Sequence, residues 1–166
     1  MKYTIADIAR IIDAETKATS AITIDNILLD SRKVYEPSVT LFFALKGPRR
    51  DGHQFIPELY KRGVRSFVIC EPIDQTDCPD AIFLDVYDSL VALQMLMAHH
   101  RRQFDIPVIG ITGSNGKTII KEWLFQLLNE DFNIVRSPKS YNSQIGVPLS
   151  IWPMNEQHTL GIFEAG

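Results

Sequence analysis

The residues with the clearest chemical potential lie in a short stretch of small and hydroxyl-bearing side chains, Gly110-Ile-Thr-Gly-Ser-Asn-Gly-Lys-Thr118. Small residues let successive backbone N–H groups converge on phosphate oxygens, and a helix that begins there turns its positive end to the same point. Lys117 can neutralise charge on the β- and γ-phosphates of a nucleotide, and the Thr118 hydroxyl can bind Mg²⁺. The pattern predicts a phosphate-binding loop made of Thr112, Gly113, Ser114, Asn115, Gly116, Lys117 and Thr118.

The match to the general Walker pattern is incomplete, so the flanking elements carry part of the argument. That pattern requires glycine five residues before Gly116, and Ile111 stands there, with Gly113 nearby. The apolar run Pro107–Ile111 predicts a buried strand before the loop, and Thr118–Asn129 predicts a helix after it. The apolar residues of this helix that are available for packing are Ile120, Trp123, Leu124 and Leu127. A strand–loop–helix order is the context of a phosphate loop, whereas the alternative is a glycine-rich turn that binds nothing.

The elements that position this loop follow from hydrophobic periodicity and turn residues in the rest of the chain. Helices are predicted where apolar residues recur every three or four positions, and strands where β-branched and aromatic residues form short runs. The predicted helices are Ala6–Asp13, capped by Thr4, then His53–Arg62, ended by Gly63, and Tyr87–Phe104. The predicted strands are Ala21–Leu29, Thr40–Leu45, Ser66–Cys70, Ala81–Val86, Asn133–Val135 and Thr159–Phe163.

Strands and helices alternate along the chain, and this order predicts an α/β fold with parallel sheets. Pro107 cannot continue the helix that precedes it, so a domain boundary is predicted at Asp105–Ile106. We expect residues 1–105 to form a small N-terminal α/β domain. Residues 106–166 should then form the beginning of a parallel α/β domain that contains the phosphate loop.

Composition argues against several classes of protein. The net charge of -3 and the pI near 5.8 give no broad basic surface for nucleic acid. No apolar run approaches the roughly 20 residues of a membrane span, and the acidic residues near the N-terminus do not fit a signal peptide. The sequence therefore predicts a cytoplasmic protein without membrane insertion. Cys70 and Cys78 are predicted to be free thiols, and the adjacent His99 and His100 make a poor joint metal site because they point in different directions.

The loop and several other segments resemble the Mur ligases. Thr-Gly-Ser-Asn-Gly-Lys-Thr after Ile-Gly-Ile is similar to the T-G-x-x-G-K-T loop that Mur ligases share with folylpolyglutamate synthases. Asp30-Ser31-Arg32, Leu41–Ala44 and Asp51-Gly52-His53 resemble the uridine-nucleotide-binding domain, which folylpolyglutamate synthases lack. Lys121-Glu122 and Tyr141–Pro148 look like the members that add D-alanyl-D-alanine, among them a variant fused to an alanine racemase.

The resemblance implies an ATP-dependent peptide ligase. In that reaction the carboxylate of UDP-MurNAc-tripeptide attacks the γ-phosphate of ATP, and the amine of D-Ala-D-Ala then attacks the acyl phosphate. The implied cofactors are ATP and Mg²⁺, with Lys117 stabilising the transferred phosphoryl group and with Thr118 and Glu164 binding the metal. The implied substrate-binding residues are Ser31, Arg32, His53 and Asn142.

Residue chemistry alone favours plainer roles at some of these positions. By itself Glu164 is better interpreted as a solvent-exposed acid at a strand end, and Asn142 as a turn residue. Arg49 and Arg50 could meet a diphosphate bidentately, or could belong to an exposed charged loop.

Complete Mur ligases have three domains, so the resemblance implies that these 166 residues contain the first domain and only the opening of the second. We expect a fragment that is inactive alone, with an unpaired sheet edge and an uncovered apolar face. Three other interpretations stay open: a ligase that adds the third peptide residue, a uridine-nucleotide-binding module with an empty phosphate loop, and a P-loop regulatory or kinase-like domain.

Overall fold

The computed structural model describes residues 2–16, 21–48 and 50–166. The chain forms two compact units, one covering Lys2–Leu96 and the other containing Met97–Gly166. The division falls within helix α3 (Ser89–Arg102). Both units combine helices with parallel strands, so the predicted α/β class is confirmed. The domain boundary at Asp105–Ile106, which follows α3, stays a prediction.

A four-stranded parallel sheet forms the centre of the first unit. Its strands lie in the order β3 (Asn26–Leu28), β4 (Thr40–Phe43), β5 (Ser66–Ile69) and β6 (Ile82–Asp85). Every residue of β4 and β5 is buried, as expected for inner parallel strands that are covered on both faces. One core cluster of this unit consists of Leu28, Phe42, Ala44, Ile56, Leu59, Val64, Phe67, Ile69 and Cys78.

The single strand predicted over Ala21–Leu29 is wrong. The chain forms two strands there, β2 (Thr23–Ile24) and β3, which belong to different sheets. β2 pairs antiparallel with β1 (Tyr3–Thr4), whereas β3 pairs parallel with β4. Between them the amide of Asp25 donates to the carbonyl of Val39 at 3.0 Å. Isoleucine and leucine give the whole segment a tendency to form a strand, but the partner strands decide where one strand ends and the next begins.

Two predicted helix boundaries have clear local causes. Helix α1 (Ile5–Ile11) is capped by Thr4, whose hydroxyl accepts from the Asp7 amide at 3.1 Å in a capping box. The segment predicted as one helix over His53–Arg62 begins with a 3₁₀ turn, Gly52–Phe55, and becomes helix α2 at Ile56–Lys61. Gly63 ends α2 as predicted, because its φ of 97° allows the left-handed C-cap.

The second unit has a three-stranded parallel sheet in the order β7 (Val108–Ile111), β9 (Leu160–Glu164), β8 (Ile134–Arg136). Helix α4 (Lys117–Leu128) follows β7, and helix α5 (Gly146–Ile151) precedes β9. One core cluster contains Ile111, Leu160 and Ile162, and Leu124 and Leu128 of α4 pack against it. This arrangement fixes the start of α4 next to the end of β9.

The outer face of α4 differs from the expected packing. Ile120, Trp123 and Leu127 were predicted to be available for packing, but they are 46%, 63% and 73% exposed. Only Leu124 of the predicted packing set contacts the sheet cluster. Helical periodicity identifies an apolar stripe, yet it does not say which part of a wide stripe meets the sheet.

The cysteines and histidines have structural surroundings. Cys70 and Cys78 are free thiols, as predicted, and burial raises the pKa of the Cys78 thiol. His100 is buried against the rings of Phe104 and Trp152, with Nε2 at 3.0 Å from the Met154 carbonyl oxygen. In the described ranges, no helix combines the length and apolar character that crossing a bilayer requires.

Candidate functional site

The predicted phosphate loop connects β7 to α4 and is open to solvent. Residues 112–116 are exposed, and Gly113 and Gly116 have φ values of 137° and 77°. A side chain at either glycine would meet no atom within 4 Å, so glycine is required by the backbone conformation rather than by space. Within the described chain, the amides of residues 113–116 make no hydrogen bond to protein. They are therefore free to bind phosphate oxygens at the N-terminus of α4.

Lys117 and Thr118 start helix α4 and face different partners. The Lys117 ammonium donates to the carbonyl of Gly113, so its chain folds back over the loop. The Thr118 hydroxyl donates to Oε2 of Glu164 at 3.0 Å, joining the start of α4 to the end of β9. The parallel β7–β9 pairing sets Ile111 opposite Glu164, and this register brings the two oxygens together.

Glu164 is completely buried, so its interpretation as an exposed strand-end acid is wrong. Its amide donates to the Ser137 hydroxyl at 3.1 Å, and its Oε1 lies 2.8 Å from the Lys121 ammonium. Lys121 is also completely buried. Sequence reasoning missed this ion pair and used Lys121 only as part of a family resemblance. The available signal was its spacing of three residues from Thr118, which puts both side chains on one face of a helix.

Asn142 joins the same site through the loop between β8 and α5. Its carbonyl accepts from the amide of Gly166 at 3.0 Å, and a side chain at Gly166 would lie 2.8 Å from that oxygen. A pocket of about 290 Å³ brings most of the residues predicted in this unit together, but Thr112 and Gly113 do not belong to its lining. The lining consists of Ser114, Asn115, Gly116, Lys117, Thr118, Ile119, Asn142 and Glu164.

A second pocket, of about 660 Å³, lies within the first unit. The lining residues are Leu29, Asp30, Ser31, Arg32, Leu45, Gly47, Arg50, Gly52, Phe55 and Glu58. Three segments distant in sequence form it: the end of β3, the loop after β4, and the start of the α2 segment. The structure thus brings Ser31 and Arg32 together with Arg50, while Arg49 lies outside the described residues.

Ser31 and Arg32 are held by local contacts. Asp30 caps a 3₁₀ turn over Ser31–Lys33 and accepts two hydrogen bonds from the Arg32 guanidinium, each 2.8 Å long. The Arg32 guanidinium lowers the pKa of Asp30 to about 2. Ser31 is buried except for a small fraction of its surface, and its carbonyl accepts from Arg62. Arg32 itself is exposed and already ion-paired, so it sits at the rim of the pocket.

His53 does not line this pocket. It is buried, its Nδ1 lies 2.5 Å from Oδ1 of Asp51, and its Nε2 accepts from the amide of Cys70 at 3.0 Å. The ring therefore carries its proton on Nδ1 and donates to Asp51, because Nε2 is an acceptor. Hydrogen bonds from the backbone and ring of His53 lower the pKa of Asp51. Through its two nitrogens the His53 ring connects Asp51, in the loop after β4, to Cys70, which directly follows β5. This loop after β4 is called the pocket loop below.

Comparison with known protein families gives the same assignment for both units. Residues 23–109 match the Mur ligase family, catalytic domain, and residues 111–166 match the Mur ligase middle domain. The chain belongs to the Mur ligase family.

Two of the relatives within the Mur ligase family carry the same name. UDP-N-acetylmuramoyl-tripeptide–D-alanyl-D-alanine ligase of Synechocystis sp. is 38% identical over 90% of this chain and 32% of its own length. The enzyme of that name from Escherichia coli is 31% identical over 100% of this chain and 35% of its own length. The chain thus spans about a third of the length of the curated relatives that it matches.

Solved structures agree with these sequence matches. MurF from Acinetobacter baumannii superposes with a TM-score of 0.91 at 28% identity, covering 100% of this chain and 36% of that one. MurF ligase from Thermotoga maritima in complex with ADP gives a TM-score of 0.71 at 31% identity, covering 84% of this chain and 31% of that one. The resemblance in fold therefore includes a relative that was solved with a nucleotide.

Proposed function

We propose that this chain provides the nucleotide-binding machinery of a ligase that adds D-alanyl-D-alanine to UDP-MurNAc-tripeptide at the expense of ATP. The observation that carries the proposal is the shared pocket of Lys117, Thr118, Asn142 and Glu164 at the exposed loop. The names of the relatives, which are about three times longer, support the choice of reaction.

Each of the two predicted domains would bind one ligand. We assign residues 1–105 to the UDP-linked substrate and residues 106–166 to the beginning of the ATP-binding domain. Ser31 and Arg32 would contact the uridine nucleotide, with Arg50 at the same pocket. His53 would act by fixing the pocket loop, since both of its ring nitrogens are engaged by protein atoms.

The residues of the second unit fit ATP and Mg²⁺. Free amides at the N-terminus of a helix suit phosphate, and Lys117 can move from the Gly113 carbonyl to the β- and γ-phosphates. Thr118 and Glu164 offer hard oxygen donors 3.0 Å apart, the kind of ligand that Mg²⁺ takes together with phosphate oxygens. When bound, MgATP supplies the phosphoryl group that activates the substrate carboxylate.

Catalysis by these residues would consist of positioning and charge neutralisation, as in other phosphoryl transfers. Lys117 would stabilise negative charge on the transferred group, and the loop amides would orient it. Asn142 would hold a substrate or nucleotide oxygen at the rim. Because the proposed ligands are soluble nucleotides and the chain has a net charge of -3, we infer a cytoplasmic protein that does not bind nucleic acid.

Calorimetric titration of the 166-residue chain with MgADP and with UDP-MurNAc-tripeptide tests the proposal. Both ligands should bind, and Lys117→Ala should weaken MgADP binding by about a hundredfold while UDP-ligand affinity changes by less than about twofold. Lys61→Ala, which removes an exposed lysine from α2, is the matched control. Binding of the UDP ligand without MgADP would instead favour a sugar-nucleotide-binding module.

A further inference from the structure

Lys121 occupies a position that the proposed reaction does not use. It is fully buried one helical turn after Lys117, and its ammonium lies 2.8 Å from Oε1 of Glu164. The same ammonium lies 3.4 Å from Oε1 of Glu122 and donates to the Lys139 carbonyl. Burial of an ammonium costs several kcal/mol unless partners of this kind compensate it. If this position served only the stability of the helix, a buried apolar side chain would stabilise the fold at least as well as the lysine does.

Three structural segments of the phosphate pocket meet at this ammonium. Lys121 itself belongs to α4, Glu164 ends β9, and Lys139 lies in the loop that carries Asn142. Lys121 does not line the pocket, so it has no direct path to a phosphate. Its influence on a ligand must therefore pass through the groups that it holds.

The two oxygens of the Glu164 carboxylate have different partners. Lys121 takes Oε1, and Thr118 donates to Oε2 at 3.0 Å. The carboxylate cannot rotate without giving up the ion pair, so Oε2 stays beside the Thr118 hydroxyl. Oε2 of Glu164 and the hydroxyl oxygen of Thr118 are the two atoms that we assign to the metal.

We propose that Lys121 is a positioning residue that couples metal binding to nucleotide binding by fixing Glu164 beside Thr118. The inference rests on the nucleotide site proposed above. Because Lys121 already balances the charge of Glu164, the pocket offers little net negative charge to a free cation. The metal would bind well only together with phosphate oxygens, as is usual for Mg²⁺.

The test compares ADP binding with and without a metal. Calorimetric titration of the full 166-residue chain with ADP, in Mn²⁺ and in EDTA, gives two dissociation constants whose ratio is the metal-dependent gain. Lys121→Met should lower this gain by about tenfold and change the metal-free affinity by less than about twofold. Lys61→Met, with the same loss of charge at an exposed site, should retain the full gain.

A double-mutant cycle separates positioning from simple structural support. Glu164→Gln should remove most of the gain, and adding Lys121→Met to it should cost nothing further, because Lys121 acts through Glu164. Electron paramagnetic resonance of Mn²⁺ in the ADP complex should change in the Lys121→Met variant. If circular dichroism reveals that the methionine variant is unfolded, Lys121→Gln, which keeps a hydrogen-bond donor, should lose the gain selectively.

The contrary results are distinct. Equal weakening of ADP binding with and without Mn²⁺, an unchanged gain, or additive losses in the cycle would each overturn the role of Lys121 and leave the nucleotide site intact. Failure of the unmodified chain to bind ADP under either condition would overturn the proposed nucleotide site, and this inference with it.

Discussion

The two candidate ligand pockets described above are built in opposite ways. The pocket assigned to the UDP-linked ligand in the first unit is assembled from three distant segments around a buried sheet, and it contains an internal ion pair between Asp30 and Arg32. The pocket of the second unit is built mainly on one exposed loop and the start of α4, to which Asn142 and Glu164 are added from two other segments. The amides of loop residues 113–116 make no hydrogen bond to protein within the described chain. One is shaped by packing and the other by local backbone conformation.

The two pockets also require glycine for two different physical reasons. At Gly52 a side chain would approach the backbone atoms of Leu45 and Ala44 to between 2.8 and 3.0 Å, so space is the constraint. At Gly116 space is open, but the φ of 77° disfavours any other residue. Substitutions at these positions separate packing from conformation.

The largest expected effect lies in the core of the first unit. Phe67 is fully buried, stacked on Phe83 with ring centroids 5.6 Å apart, so Phe67→Ala should lower the free energy of unfolding by about 3–5 kcal/mol. Trp123→Ala, on the 63% exposed residue of α4, should change it by less than about 0.5 kcal/mol. Urea denaturation measures both, and a large loss at Trp123 would contradict the uncovered α4 face.

The next effect concerns space at Gly52. Gly52→Ala should lower the free energy of unfolding by about 1–3 kcal/mol, because the new methyl group overlaps backbone atoms that cannot easily move. Gly110→Ala, where a side chain would meet nothing within 4 Å, is the matched control and should be close to neutral. Equal costs at the two glycines in urea denaturation would argue against packing as the constraint.

A substitution in the loop should act on binding more than on folding. Gly116→Ala forces a side chain into the left-handed region at a cost of about 1–2 kcal/mol, so MgADP affinity should fall by about tenfold. Affinity for the UDP-linked ligand, which we assign to the other unit, should stay unchanged. The prediction fails if calorimetry detects equal losses for both ligands.

The smallest expected effect is a dependence on pH. Burial lowers the pKa of His100, so the unfolded chain takes up a proton there before the folded chain does. This contribution to stability is complete above about pH 6.5, the ordinary histidine pKa, and is lost as the pH falls below it. Urea denaturation at pH 7.5 and 5.5 should reveal a smaller pH dependence in His100→Gln than in the unmodified chain.

Much of the pocket of the second unit could be predicted from the sequence, because its determinants are local. The order of strand, loop and helix, the positive-φ glycines and the adjacent Lys117 and Thr118 all lie within one short stretch. The resemblance to Mur ligases added Asn142 and Glu164, and the structure brings both to that loop. Residue chemistry alone favoured an exposed Glu164, because no local pattern reveals that a buried lysine will meet it.

The first unit was harder to predict for the same reason. His53 was expected to contact substrate, yet its ring is buried between Asp51 and the Cys70 amide, a partner that only the fold brings near. The strand predicted over Ala21–Leu29 is divided between two sheets because strand partners come from elsewhere in the chain. Hydrophobic pattern gives the tendency to form a strand, and long-range pairing decides its limits.

By itself the amino-acid sequence determined the alternation of strands and helices, the α1 cap at Thr4, the end of α2 at Gly63 and the conformation of the phosphate loop. Each of these depends on interactions within a few residues, which sequence patterns express directly. Only the tertiary structure decided that Lys121 pairs with Glu164, that His53 supports a loop, and that the outer face of α4 is exposed. Those outcomes depend on which distant segments meet, and burial makes the energies of their charged and polar groups large.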